Sequence, residues 1–161
     1  MTPEGQRERL HALADVLAGQ DALLGELVRL SKEEQDALVQ SDFDAIHRAS
    51  DRMLAVSQDL EVLDGDREAL VREFPTVRTL EDLVPLADDL GVHGFAPLRE
   101  SLMARAGELR DIQEANARLI LNAAKLRERW YGMLAGMSSP TYGSGGKQEF
   151  RQARDIVSRS A

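Results

Sequence analysis

The sequence contains no cysteine, which removes disulfide scaffolds, thiolate metal centres and cysteine nucleophiles together. Aromatic residues make up only 4% of it, a poor match to β-sandwiches and barrels, whose strands draw on Tyr, Phe and Trp. No apolar run approaches the roughly 18 residues that a membrane span requires. Glu4 and Glu8 stand where a secretory signal would carry basic side chains, so a soluble, cytoplasmic protein without membrane insertion is expected. The formal net charge of −8 opposes nucleic-acid binding, because phosphate contacts need clustered Lys and Arg.

What the chain does contain is Leu, Ala, Glu, Asp and Arg in abundance, the composition of long helices. Its 161 residues suffice for one modest core. Charge is unevenly spread: residues 1–97 hold 9 Lys and Arg against 21 Asp and Glu, whereas residues 98–161 hold 11 against 7. A basic last third can pair with the acidic remainder or with an acidic partner.

Hydrophobic spacing defines three long helices. The first begins at Thr2-Pro3-Glu4, with Thr2 as N-cap and Pro3 at the first helical position. Leu10, Leu13, Leu17, Leu24, Leu27 and Leu38 form its seam, and Val16, Leu23 and Leu30 widen the stripe. Ser41, with Asp44 three residues later, approximates a capping box that opens the second helix. There Ile46, Ala49, Met53, Val56, Leu60, Leu63, Leu70 and Phe74 alternate steps of three and four, interrupted by Arg67, and Pro75 ends the run. So short a connection makes the two helices antiparallel neighbours. Thr79 to Asp82 caps a short helix carrying Leu80, Leu83, Val84, Ala87 and Leu90, with Gly91 as its C-cap. A third long helix starts near Pro97 with the seam Leu102, Arg105, Leu109, Ile112, Asn116, Leu119, Ala123, Leu126, Trp130, Met133 and Met137. Asn116 occupies a core position, where a satisfied amide fixes register.

The expected fold is therefore all-α: an antiparallel long-helix hairpin plus a third long helix, forming a three-helix bundle or coiled coil with a short connecting helix. Residues 1–137 make the bundle domain. Residues 138–161 are a Gly/Ser linker followed by a short amphipathic tail, a flexible segment whose Phe150, Ile156 and Val157 lie on one side.

Catalytic and metal chemistry find little support. Gly143-Ser144-Gly145-Gly146-Lys147 fails the phosphate-loop pattern, with Thr141 where the first glycine belongs, Gln148 after the lysine, and no preceding strand. His11, His47 and His93 are scattered. The Asp44/His47 spacing is half of a bundle metal motif that has no second half, and Asp42, Asp44, Asp64 and Asp66 do not meet calcium-loop spacing. No catalytic residue, metal site or cofactor is assigned, and the protein is not expected to be an enzyme. The acidic run from Asp59 to Glu68 reads as the solvated back of the second helix.

Large apolar residues such as Met103, Trp130 and Met133 usually belong to a core. Trp130, Met133, Leu134 and Met137, however, immediately precede the glycine-rich segment, a position suited to accepting a partner helix.

Three blocks give this arrangement a likeness. They are Glu34-Gln35-Asp36-Ala37-Leu38-Val39-Gln40-Ser41-Asp42-Phe43-Asp44-Ala45-Ile46 at the hairpin turn, Asn116-Ala117-Arg118-Leu119-Ile120 in the last helix, and Thr141-Tyr142-Gly143 with the glycines after it. In their order and spacing the chain resembles the FlgN family of flagellar export chaperones. The resemblance implies a cytoplasmic helical protein that binds the C-terminal helical segments of hook-filament junction (hook-associated) proteins and delivers them to the type III export gate. It implies client binding through Leu126, Trp130, Met133, Leu134 and Met137, together with Phe150, Ile156 and Val157 of the tail. Tyr142 matches the family's gate-docking tyrosine. The linker here is unusually rich in glycine, and the tail is basic.

Heptads also pair with copies of themselves. A structural coiled-coil oligomerisation or adaptor protein without a secretion client is the alternative reading, and a homodimer is compatible with both.

Overall fold

The computed structural model describes residues 1–137, which form four helices: α1 (Pro3–Gln40), α2 (Phe43–Val71), α3 (Leu80–Asp89) and α4 (Phe95–Met137). The architecture is all-α, with the long helices packed as a bundle and no strand among the described residues. The chain divides into two compact units, the second beginning at Ala117. The expected tail, with Tyr142, Phe150, Ile156 and Val157, lies outside the described residues.

Helix α1 starts as its sequence dictates. Thr2 Oγ1 accepts a hydrogen bond from the Gly5 amide at 3.2 Å, and Pro3, lacking an amide proton, costs nothing at the first helical position. At 38 residues the helix is about 57 Å long. Most of its expected seam is buried: Leu10 and Leu13 are inaccessible to solvent and Leu17 and Leu27 nearly so, while Leu24 and Leu38 are half-buried; Leu30, on the flank, is inaccessible as well.

The hairpin turn corrects the expected cap. Ser41 does not open α2; it terminates α1 in the left-handed conformation, with φ 55°. The Asp42 amide then donates to Ala37 O at 2.9 Å and the Ser41 amide to Leu38 O, the pair of bonds that satisfies a helix's last carbonyls when one residue turns left-handed. Asp42 caps α2 instead, its Oδ1 accepting from the Ala45 amide at 3.0 Å. Ser41 and Asp42 are both good cap types, and the left-handed turn at Ser41 leaves the role to Asp42.

Contacts of α1 with α2 and the turn after it pair rising numbers with falling ones: Arg9 with Glu73, Gln20 with Asp64, Ser31 with Met53. The hairpin is therefore antiparallel, as expected. The α2 seam has the expected phase, but only Ala49 on it is buried; Ile46, Met53, Val56, Leu60 and Leu63 are half-covered. Where Arg67 interrupts that seam, a polar group replaces apolar packing. Buried Gln20 donates to Asp64 at 2.6 Å, and Arg67 binds both Gln20 and Asp64.

Helix α2 ends at Val71, earlier than Pro75 would require. The residue before a proline resists helical dihedrals, so Phe74 lies in the following turn, where it and Val77 drop into the core at 3% and 9% exposure. The main apolar cluster gathers Leu10, Leu13 and Leu17 of α1 with Phe74, Val77, Leu83, Ala87 and Phe95. The short helix α3 is thus a lid on the open end of the hairpin. Its capping box is complete: the Asp82 amide donates to Thr79 Oγ1, and Asp82 Oδ2 accepts from the Thr79 amide. At its other end Leu90 is the cap residue, and Gly91 follows with φ 73°, a conformation glycine adopts without steric cost. Val92 then buries itself and donates to Ala87 O at 2.8 Å.

Helix α4 begins two residues before the expected Pro97, because Phe95 is drawn into the core at 4% exposure. In its first half, contacts with α1 rise together in number: Ser101 and Arg105 with Asp21, Glu108 with Lys32, Asn116 with Ser31 and Glu34. This part of α4 therefore runs parallel to α1. The Arg105 guanidinium lies where a Cβ on Gly25 would stand, 1.7 Å from Nη1, and donates to Asp21 O at 3.1 Å. Gly25 is thereby explained as the space for that arginine.

Candidate partner-binding face

Through Asn116 the α4 seam is covered. Leu102 is buried, Arg105, Leu109 and Ile112 are half-buried, and Asn116 is 2% exposed. In the second unit the apolar spacing continues while burial stops: Leu126 and Trp130 are 55% exposed, Leu134 51% and Met133 48%. Leu126, which lies on the expected α4 seam and is also an expected client contact, is not a core residue at this exposure. Met137 is the last described residue of the helix.

At 100° per residue, positions 126, 130, 133 and 134 fall within a sector of about 100° and span about 12 Å of helix axis. The stripe is thus a continuous apolar strip along one side of the helix. Lys125, Arg127 and Arg129 flank it with a single carboxylate, Glu128, among them. An amphipathic helix bearing carboxylates beside its apolar face is the complement of such a surface. Ile120 and Leu121, 53% and 54% exposed, were not among the expected contacts. Ile120 borders the same strip nearly two turns before Leu126, and its unbroken run with Leu119 was the available signal. Leu121 lies on the far side of the helix.

Of the expected binding residues, Leu126, Trp130, Met133 and Leu134 share one side of α4, whereas Phe150, Ile156, Val157 and the expected docking residue Tyr142 lie outside the described region. Met103, another member of the Met and aromatic set, is 57% exposed rather than core. It borders a shallow groove with Leu17, Leu24, Leu60 and Leu102, left because α2 and α4 each lean on α1.

Perturbed titration occurs away from this face. The Arg29 guanidinium, hydrogen-bonded to Glu26, holds that carboxyl below the usual carboxylate range, and Arg52 reaches the same Glu26 from α2 at 3.5 Å. Asp82 is held low by the Arg78 and Thr79 amides. Among the described residues no three His, Asp or Glu side chains converge as a metal site would require, and no helix is long and apolar enough to cross a membrane.

A family model described as FlgN protein matches residues 1–149. No curated protein and no solved structure matches the chain.

Proposed function

Since the chain belongs to the FlgN family, the flagellar export chaperones, we propose that its clients are hook-filament junction proteins and that the exposed stripe of α4 is where their C-terminal helical segments are held. The observation that carries this reading is the run of half-exposed Leu126, Trp130, Met133 and Leu134 on one side of a helix whose earlier seam is buried. An amphipathic client helix laid along that strip loses its aggregation-prone apolar face to the chaperone. The basic flanks favour clients whose polar face is acidic.

In this reading Phe150, Ile156 and Val157 of the tail add apolar contacts to the client. Tyr142 docks the loaded complex at the export gate, and the cycle takes place in the cytoplasm. No residue is assigned to catalysis.

Titration calorimetry against a junction protein's C-terminal peptide tests the grip. Trp130→Ala is expected to weaken binding by about 2 kcal/mol, roughly thirtyfold, and equal affinity in the variant would remove the stripe from the site. Tyr142→Ala is expected to keep the client and lose the gate in a pull-down. The same heptad stripe favours a second reading, self-association. A client-free mass that doubles with concentration in light scattering, and falls back on Trp130→Ala, is its signature.

A further inference from the structure

The first 97 residues are strongly acidic, yet one place within them reverses sign. Where α2 gives way to α3, a pocket of about 410 Å³ is rimmed by Arg67, Arg72 and Arg78, and the one carboxylate lining it is Glu68. Its floor is apolar, made by Val71, Val77 and Leu83. Val77 and Leu83 belong to the main core cluster, so this floor is fixed by the packing of the whole bundle end. The volume falls in the range typical of ligand sites, roughly 300–1,000 Å³.

The guanidinium groups are not equally engaged. Arg67 is held by Asp64 at 3.1 Å. Arg72 is 80% exposed and reaches Glu68 only at 3.8 Å. Arg78 feels Asp82 through space, while that carboxylate's Oδ2 is already taken by the Arg78 and Thr79 amides. Two arginines therefore retain donor capacity at the mouth of an apolar cup.

We propose that this pocket receives a short segment of a partner protein in which an apolar side chain is flanked by carboxylates. The apolar side chain seats on Val71, Val77 and Leu83, and the carboxylates pair with the forked donors of Arg72 and Arg78, a geometry that guanidinium matches better than ammonium does. This chain's own tail is a poorer occupant, because Lys147, Arg151, Arg154 and Arg159 outnumber its Glu149 and Asp155. A nucleotide is a poorer occupant, since no aromatic ring or glycine-rich loop lines the cup. The site shares no residue with the α4 stripe and does not depend on the client assignment.

Amide-resolved NMR of the full chain tests it, using the blocked hexapeptide EELFEE as probe. The expected result is saturable shifts at Val71, Val77, Thr79 and Leu80 in the millimolar range or below, weakened at least tenfold by the double substitution Arg72→Glu, Arg78→Glu. Both side chains are exposed, and unchanged shifts at Leu13 and Leu17 will report that the variant keeps its fold. Equal response to KKLFKK, the same pattern with inorganic phosphate alone, shifts confined to α4, indifference to the double substitution, or no saturable shift up to about 5 mM would each overturn the proposal.

Discussion

Asn116 shows how one side chain carries both information and cost. Its Nδ2 donates to Ser31 O at 3.0 Å and Glu34 Oε1 at 2.9 Å, while its buried Oδ1 has no hydrogen-bond partner. Only a donor suits the two oxygens it faces. Asn116→Asp places a third acceptor against them and is expected to destabilise the fold by about 2–3 kcal/mol at neutral pH, measured by urea unfolding. Asn116→Leu, which removes the orphaned acceptor, is expected to stay within about 1 kcal/mol of the parent. Ser41 is a second residue-scale case, a side chain with a Cβ held at φ 55°. Glycine relieves that strain, so Ser41→Gly is expected to stabilise by about 0.5–1 kcal/mol in the same assay. The sequence pointed to Asn116, which stood on the α4 seam, but its Ser31 and Glu34 partners were invisible because they are 85 and 82 residues away in the chain.

Among the elements, α3 was the most legible and the most informative about its surroundings. Thr79 and Asp82 announced its start, and Leu83 and Ala87, now 1% and 0% exposed, announced its buried side. The capping carboxylate also ties α3 to pH. Asp82 is pulled below its ordinary 3.8 by hydrogen bonds from the Arg78 and Thr79 amides. A group whose folded pKa lies below its unfolded pKa adds stability above the unfolded value and loses it as pH falls through the folded one. The stability difference between the parent and Asp82→Asn is therefore expected at pH 6 and should shrink toward zero as pH falls through the carboxyl's lowered pKa, as followed by urea midpoints. Helix α2 is the counter-example. Its periodicity gave the right face, yet Ile46, Met53, Val56, Leu60 and Leu63 are only half-buried, because periodicity reports which side of a helix is apolar and not how many neighbours cover it.

For the whole molecule, every residue that is buried among those described lies at or before Asn116, although α4 continues to Met137. Burial among the described residues thus ends partway along one helix, and the proposed client contacts lie on the part beyond it. A chain ending at residue 119 is expected to keep its melting temperature within about 4 °C and to lose client binding altogether, as read by differential scanning calorimetry and titration calorimetry. Loss of the cooperative transition would show instead that residues beyond 119 hold the bundle together. What the sequence determined by itself was local: helix identity, the Thr2 and Thr79 caps, the apolar phase of each long helix and the basic flanks of the last one. These follow from dihedral preference and from a 3.6-residue period, both written in near neighbours. The tertiary structure alone decided that Gly25 makes room for Arg105, that Gln20 and Arg67 share Asp64, that three arginines converge over an apolar cup, and that the α4 comb is core up to Asn116 and surface from Leu126. Burial and convergence depend on which distant segments arrive beside a residue, and a heptad looks the same whether or not its partner is there.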